Sequence, residues 1–212
     1  MTDLESPEIN DSEEKVARMA KNSQTIIQIA GAALFGALSI VLSTLAPILP
    51  RFPPVYGIAY FDPVSITWML CFLIFGPKSG ILCSVIGFIG LIPFDESLPV
   101  IGPMMKLFAT LPLILIPIIL LNLHKREEGV LKSQTLKKPK NFIISGIIAV
   151  LVREFVMLFL NIVVWLSFFG SEGLLTWLAV IAIINPIQSV FDLGIPYIVV
   201  YGTRLDKKFE LW

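Results

Sequence analysis

Long apolar stretches, broken only by short polar connections, limit what this chain can fold into more than any other feature. A helix rises about 1.5 Å per residue, so about 20 mostly apolar residues are needed to cross a hydrocarbon core ~30 Å thick. Six segments approach or exceed that length: Thr25 to Pro47, Phe61 to Phe75, Lys78 to Pro93, Pro103 to Leu123, Phe142 to Phe169 and Leu174 to Tyr201. They predict an all-α, polytopic membrane protein with six transmembrane helices. The second and third segments are short for a full crossing, and they also suit a single re-entrant hairpin buried in the bundle, which would leave four full crossings with the same sidedness.

Composition agrees with a membrane chain. Of 212 residues, 56% are hydrophobic and 15% charged, against about 45–50% and about 25% in soluble domains. The mean hydropathy is +0.83. Sixteen basic and sixteen acidic residues cancel, so net charge points to no nucleic-acid partner, and the distribution of charge along the chain carries the information.

Lys and Arg beside membrane helices set orientation because they are retained on the cytoplasmic side. Thirteen of the sixteen fall on one side of the six-helix arrangement: Lys15, Arg18 and Lys21; Lys78; Lys125, Arg126, Lys132, Lys137, Lys138 and Lys140; and Arg204, Lys207 and Lys208. Only Arg51 falls on the other, so both termini are expected in the cytoplasm. Residues 1–24 then read as a polar, mobile cytoplasmic tail without the basic start and short apolar core of a signal peptide. Residues 25–202 form the membrane domain, with an external loop at 48–60 and a basic cytoplasmic loop at 124–141, and residues 203–212 form a cytoplasmic tail.

Enzyme signatures are absent from the sequence: there is no P-loop, HExxH or GxSxG. The single histidine, His124, falls at the cytoplasmic end of the fourth segment, where it reads as a solvated loop residue. Cys71 and Cys83 lie in apolar segments without metal-ligand spacing and read as small buried hydrophobes, so neither a metal nor a catalytic residue is expected.

Two basic residues, Lys106 and Arg153, lie within apolar segments, where an ionisable group is a functional-site hypothesis by default. A charge at the bilayer centre costs about 2.5–3.5 kcal/mol on insertion scales, so Arg153 requires a partner. Its neighbour Glu154 points about 100° away around the helix. Asp192 in the sixth segment is the expected partner, giving Arg153, Glu154 and Asp192 the role of a buried charge lock. In the same sixth segment, "NPIQSVFD" places Asn185, Ser189 and Asp192 on one face with Gln188 at its edge. Counted at 1.5 Å per residue, Arg153, Glu154 and Gln188 fall near the midplane and Asp192 about 7 Å inward of it, whereas Lys106 and Asn161 fall about 10 Å outward. Asp62 lies at the outer rim. The outer set of Asp62, Lys106 and Asn161 is the one within reach from outside.

In the first segment, Ala32-xxx-Gly36 and Ala33-xxx-Ala37 form a small-residue strip that permits close helix approach, suited equally to packing within the chain and to a partner protein. Between the first two segments, "APILPRFPPVYGIAYFDPVSI" holds five prolines and four aromatic residues. Proline fixes φ and removes amide donors, so this loop should be a stiff, non-helical cover. Its aromatics are either interfacial anchors or a stacking surface for a flat ligand.

The ordered set "YFDPVSI", "FGPKSGIL", "IGPMMKLFAT", "VMLFLN" and "INPIQSV", spread over residues 25 to 204, resembles the substrate-binding S components of energy-coupling factor transporters, most closely the riboflavin-type members. The resemblance implies a prokaryotic membrane subunit that captures a vitamin, riboflavin or a related small heterocycle, beneath a lid formed by the first loop. It also implies partners: a transmembrane coupling subunit and two ATP-binding-cassette ATPases, which use the ATP, while this chain needs no cofactor of its own. The strip Ala32, Ala33, Gly36 and Ala37 would be the docking surface for the coupling subunit. Asn161 matches the binding asparagine of the family, Gln188 stands where the riboflavin type has a lysine, and Lys106 stands where it has an asparagine.

The resulting expectation has Tyr56, Tyr60 and Phe61 covering the ligand, Asp62 and Asn161 hydrogen-bonding it, and Lys106, Asn185 and Gln188 on its polar edge. The competing expectation is an autonomous proton- or ion-coupled transporter that uses Glu154 and Asp192 as titrating carboxylates.

Overall fold

The computed structural model describes residues 7–45, 48–49, 59–94, 100–123, 131–209 and 211–212, with side chains from residue 18 onward. The helices are α1 Pro7–Ser43, α2 Pro63–Phe75, α3 Pro77–Leu91, α4 Ile101–Leu123, α5 Lys132–Lys137, α6 Pro139–Phe168, α7 Leu174–Tyr197 and α8 Asp206–Phe209. A short 3₁₀ turn, Ile92–Phe94, prolongs α3, and a π-turn, Ile198–Gly202, follows α7. That π-turn begins two residues after Pro196, which cannot donate to the helix ladder.

Five of these stretches are long and apolar enough to cross a membrane. The expectation of six crossings is met at five, because α2 has only 13 residues, about 20 Å at 1.5 Å per residue. It is nonetheless the core of the bundle. Trp68, Met69, Phe72 and Leu73 on α2 are fully buried, and α1, α3, α4 and α7 all pack against it. An all-round apolar helix is satisfied by such a central place.

Gly76 makes the turn from α2 to α3. Its φ of +97° lies in the region that favours glycine, and its N–H donates to Phe72 O at 2.9 Å. On the far side of α2, Asp62 starts the helix: Oδ1 accepts from Val64 N at 3.1 Å and Oδ2 from Ser65 Oγ at 2.9 Å, as an N-cap carboxylate does.

The small-residue strip of α1 is divided by the packing. Ala32 and Gly36 are buried against α2 and α3, while Ala33 and Ala37 face outward. A Cβ at Gly36 would stand 2.7 Å from Ile86 Cγ2, so close approach of α3 requires glycine there.

Two polar stretches are helical as well. α1 starts at Pro7, 18 residues before the apolar segment begins at Thr25, and the basic connection before α6 contains α5. The C-terminal tail folds back under the bundle. Trp212 packs on Phe72 with ring centroids 5.2 Å apart, and its Nε1 donates to Leu73 O at 3.2 Å. Ser133 on α5 donates to Trp212 O through both its N–H (3.2 Å) and its Oγ (2.7 Å). Tyr197 OH donates to Lys137 O at 2.7 Å and Lys137 Nζ pairs with Asp206 at 2.7 Å. This end, with the Gly76 turn, α5 and the C-terminus, is called the tail end; the opposite end, where α2 and α4 start, is called the loop end.

Candidate functional site

The polar residues of the bundle form two clusters. The first lies where the starts of α2 and α4 meet the middles of α6 and α7. Lys106 Nζ is 2.8 Å from Asp62 Oδ1, so the carboxylate that caps α2 also holds the α4 lysine. Thr110, one turn beyond Lys106, donates to Ser65 Oγ at 3.1 Å or to Lys106 O at 3.0 Å. This end of the cluster is partly open, with 28% of the Lys106 side chain and 14% of the Asp62 side chain exposed.

Deeper in the bundle, Arg153 Nη1 pairs with Asp192 Oδ2 at 2.7 Å, and both side chains are buried. Arg153 Nη2 donates to Gln188 Oε1 at 3.3 Å. Gln188 in turn donates through Nε2 to Ala59 O, immediately before the aromatic sequence that leads into α2. A single amide thus connects the α6–α7 ion pair to the base of the proline-rich loop. Phe61 meets Phe191 edge to face at 6.1 Å, a second contact between this loop base and α7.

Asn161 belongs to the second cluster, nearer the α6–α7 connection. Its Nδ2 donates to Met157 O at 2.8 Å, and its Oδ1 accepts from Trp177 Nε1 at 3.0 Å. Trp177 stacks on Trp165 with centroids 5.2 Å apart. The amide is therefore engaged at both ends, and no hydrogen bond links it to Asp62 or Lys106. A ligand contact at Asn161 would have to replace the indole.

Several groups of the first cluster keep unused hydrogen-bonding capacity. Arg153 Nε, Asp192 Oδ1, Asn185 Nδ2 and both oxygens of Glu154 are buried without a hydrogen-bond partner among the described residues. Glu154 does not join the Arg153–Asp192 pair. Tyr60 lies at the loop base and is partly exposed, whereas Tyr56 and most of the 48–60 loop fall outside the described residues.

Ser65, Thr110, Phe191 and Trp177 were not singled out from the sequence. Ser65 and Thr110 carried a usable signal, lying three and four residues after Asp62 and Lys106 on the same helix faces. Trp177 carried none, because a tryptophan near a helix end reads as an interfacial anchor. No cluster of three or more metal-ligating side chains occurs among the described residues.

No curated protein matches the chain. The family model described as "ECF transporter, substrate-specific component" matches residues 28–201, which takes in α2 to α7 entirely and the C-terminal part of α1. The chain therefore belongs to the substrate-specific component family of ECF transporters, membrane subunits that bind the transported substrate and work with a coupling subunit and ATPases.

Proposed function

We propose that this chain captures riboflavin or a related small heterocyclic vitamin at the loop end of the bundle. Tyr56, Tyr60 and Phe61 would form the aromatic cover, with Asp62, Lys106, Asn185 and Gln188 on the polar edge of the ligand and Asn161 reached after release of Trp177. The observation that carries this reading is the position of Gln188, which holds Arg153 on one side and the Ala59 carbonyl at the loop base on the other. A ligand edge offering one donor and one acceptor can substitute for either contact, so occupancy and the position of the loop are linked. Aromatic walls with a few placed polar groups are what a small-molecule site requires.

In the same reading both termini lie in the cytoplasm of a prokaryotic cell. The outward pair Ala33 and Ala37 receives the coupling subunit, while Ala32 and Gly36 serve the chain's own packing. Two ATP-binding-cassette ATPases consume the ATP, and the chain itself carries no cofactor.

The test is to purify the chain in detergent and identify the retained small molecule by absorbance and mass spectrometry, then to measure its affinity in variants. Lys106→Met and Gln188→Ala should each weaken binding about tenfold or more, the loss expected for a hydrogen bond in a desolvated site. Tyr201→Phe, at the tail end, should not. Unchanged affinity in folded Lys106→Met and Gln188→Ala proteins would remove the site from this place.

One observation favours a second reading, an autonomous proton- or ion-coupled transporter: both oxygens of Glu154 are buried without a hydrogen-bond partner among the described residues. That reading requires gradient-driven uptake by the chain alone, abolished by Glu154→Gln.

A further inference from the structure

An apolar groove of about 520 Å³ runs between α6 and α7 on the tail-end half of the bundle. Its walls include Phe142, Gly146 and Val150 on α6 and Val190, Leu193 and Gly194 on α7. It lies apart from the Asp62–Lys106 cluster and opens toward the outside of the bundle, where Ile143, Ile147, Leu151 and Val190 are exposed. From Pro139 to Leu151 its α6 wall rises about 18 Å, close to the ~15 Å depth of a single leaflet's hydrocarbon.

Basic residues flank one end of the groove. Pro139, its first lining residue, lies between Lys138 and Lys140, both exposed and neither ion-paired with a described residue. Lys137 differs: its ammonium is held by Asp206 at 2.7 Å. Two ammonium groups without an ion-pair partner among the described residues, at the end of an acyl-length apolar groove, complement a lipid that is anionic at one end and hydrocarbon at the other. A partner protein's apolar helix would make no use of the two lysines.

We propose that the α6–α7 groove is a binding site for an anionic phospholipid, with one acyl chain lying along Gly146 and Gly194 and the phosphate held by Lys138 and Lys140. The proposal is independent of which substrate the chain carries. Gly194 permits a clean test, since a Cβ there meets nothing within 4 Å. Gly194→Leu therefore enters the groove from a Cβ that displaces no neighbour.

Native mass spectrometry of the detergent-purified chain, titrated separately with phosphatidylglycerol and phosphatidylcholine of identical acyl chains, reads the site. The wild type should prefer phosphatidylglycerol. Lys138→Gln/Lys140→Gln should erase a preference of up to about thirtyfold, the sum of two surface lysines acting on an anionic headgroup. Gly194→Leu should weaken retention of both lipids, and unfolding temperatures matching wild type would show that both variants remain folded. Equal binding of the two lipids by the wild type would overturn the proposal. So would undiminished lipid binding by Gly194→Leu, including the case in which that variant instead loses a co-purifying membrane protein.

Discussion

The two ends of the bundle are closed by different chemistry. At the tail end, beside the single Lys137–Asp206 pair, Trp212, Tyr197 and Tyr201 pack as rings and donate to the backbone carbonyls of Leu73, Lys137 and Ser133. From the loop end into the middle of the bundle, the contacts are the Asp62–Lys106 pair, then the amide of Gln188 and the deeper Arg153–Asp192 pair. Aromatic burial against fixed carbonyls has no small-molecule substitute, so separating those elements costs apolar area and unsatisfied acceptors together. Side-chain ion pairs and amides can be exchanged for the polar edge of a ligand. The difference assigns the fixed closure to the tail end and the exchangeable one to the loop end.

Breaking each closure separately sharpens that assignment. The largest loss should come from Arg153→Ala, because removal of one partner of a buried pair leaves the other charge uncompensated, at about 3–5 kcal/mol. Replacing both by apolar residues, Arg153→Met with Asp192→Leu, should restore most of that stability. Thermal unfolding in a fixed detergent reads both; equal losses in the single and double variants would mean that the pair is not the cause. At the tail end, Trp212→Ala should cost about 2–3 kcal/mol, somewhat below the range for a fully buried tryptophan, and should leave ligand affinity intact.

Smaller effects separate the two faces of α1. Ala32→Leu should destabilise by about 1–3 kcal/mol through overpacking, whereas Ala33→Leu should leave the isolated chain unchanged and weaken co-purification with the coupling subunit. The reverse pattern would exchange the roles of the two strips. A small effect on stability is also expected for Lys106→Met, about 1 kcal/mol or less, since the ion pair is partly exposed and so only weakly stabilising. Its effect should appear in ligand affinity instead. A large fall in unfolding temperature with unchanged affinity would make the Asp62–Lys106 pair a structural clamp.

The apolar helices are legible in the sequence because length and hydropathy are local properties. The Gly76 turn is marked by the "FGPKSG" sequence for the same reason. The irregular places depend on contacts between distant residues. α5 is a polar six-residue helix, too short to persist alone, and it is held by Trp212 and Tyr201 across more than sixty positions. The N-terminal part of α1 is rich in Glu, Lys and Ala, all good helix formers, but without an apolar stripe it reads as a tail. Residue spacing places Asn161 toward the outside with Asp62 and Lys106, yet it cannot reveal that Trp177, on the other side of the α6–α7 connection, occupies its carbonyl oxygen. Arg153 is a contrasting case: the cost of an isolated charge in apolar surroundings narrows its partners to the few acids within reach, which include Asp192.

The central claim, a binding subunit that captures substrate but depends on other subunits to move it, is tested most directly by uptake into liposomes. The chain reconstituted alone, with its co-purified molecule in radiolabelled form outside, should bind that molecule and accumulate none in the lumen, with or without a proton or sodium gradient. Adding the coupling subunit and ATPases with ATP should start accumulation. Gradient-driven accumulation by the chain alone would contradict the account.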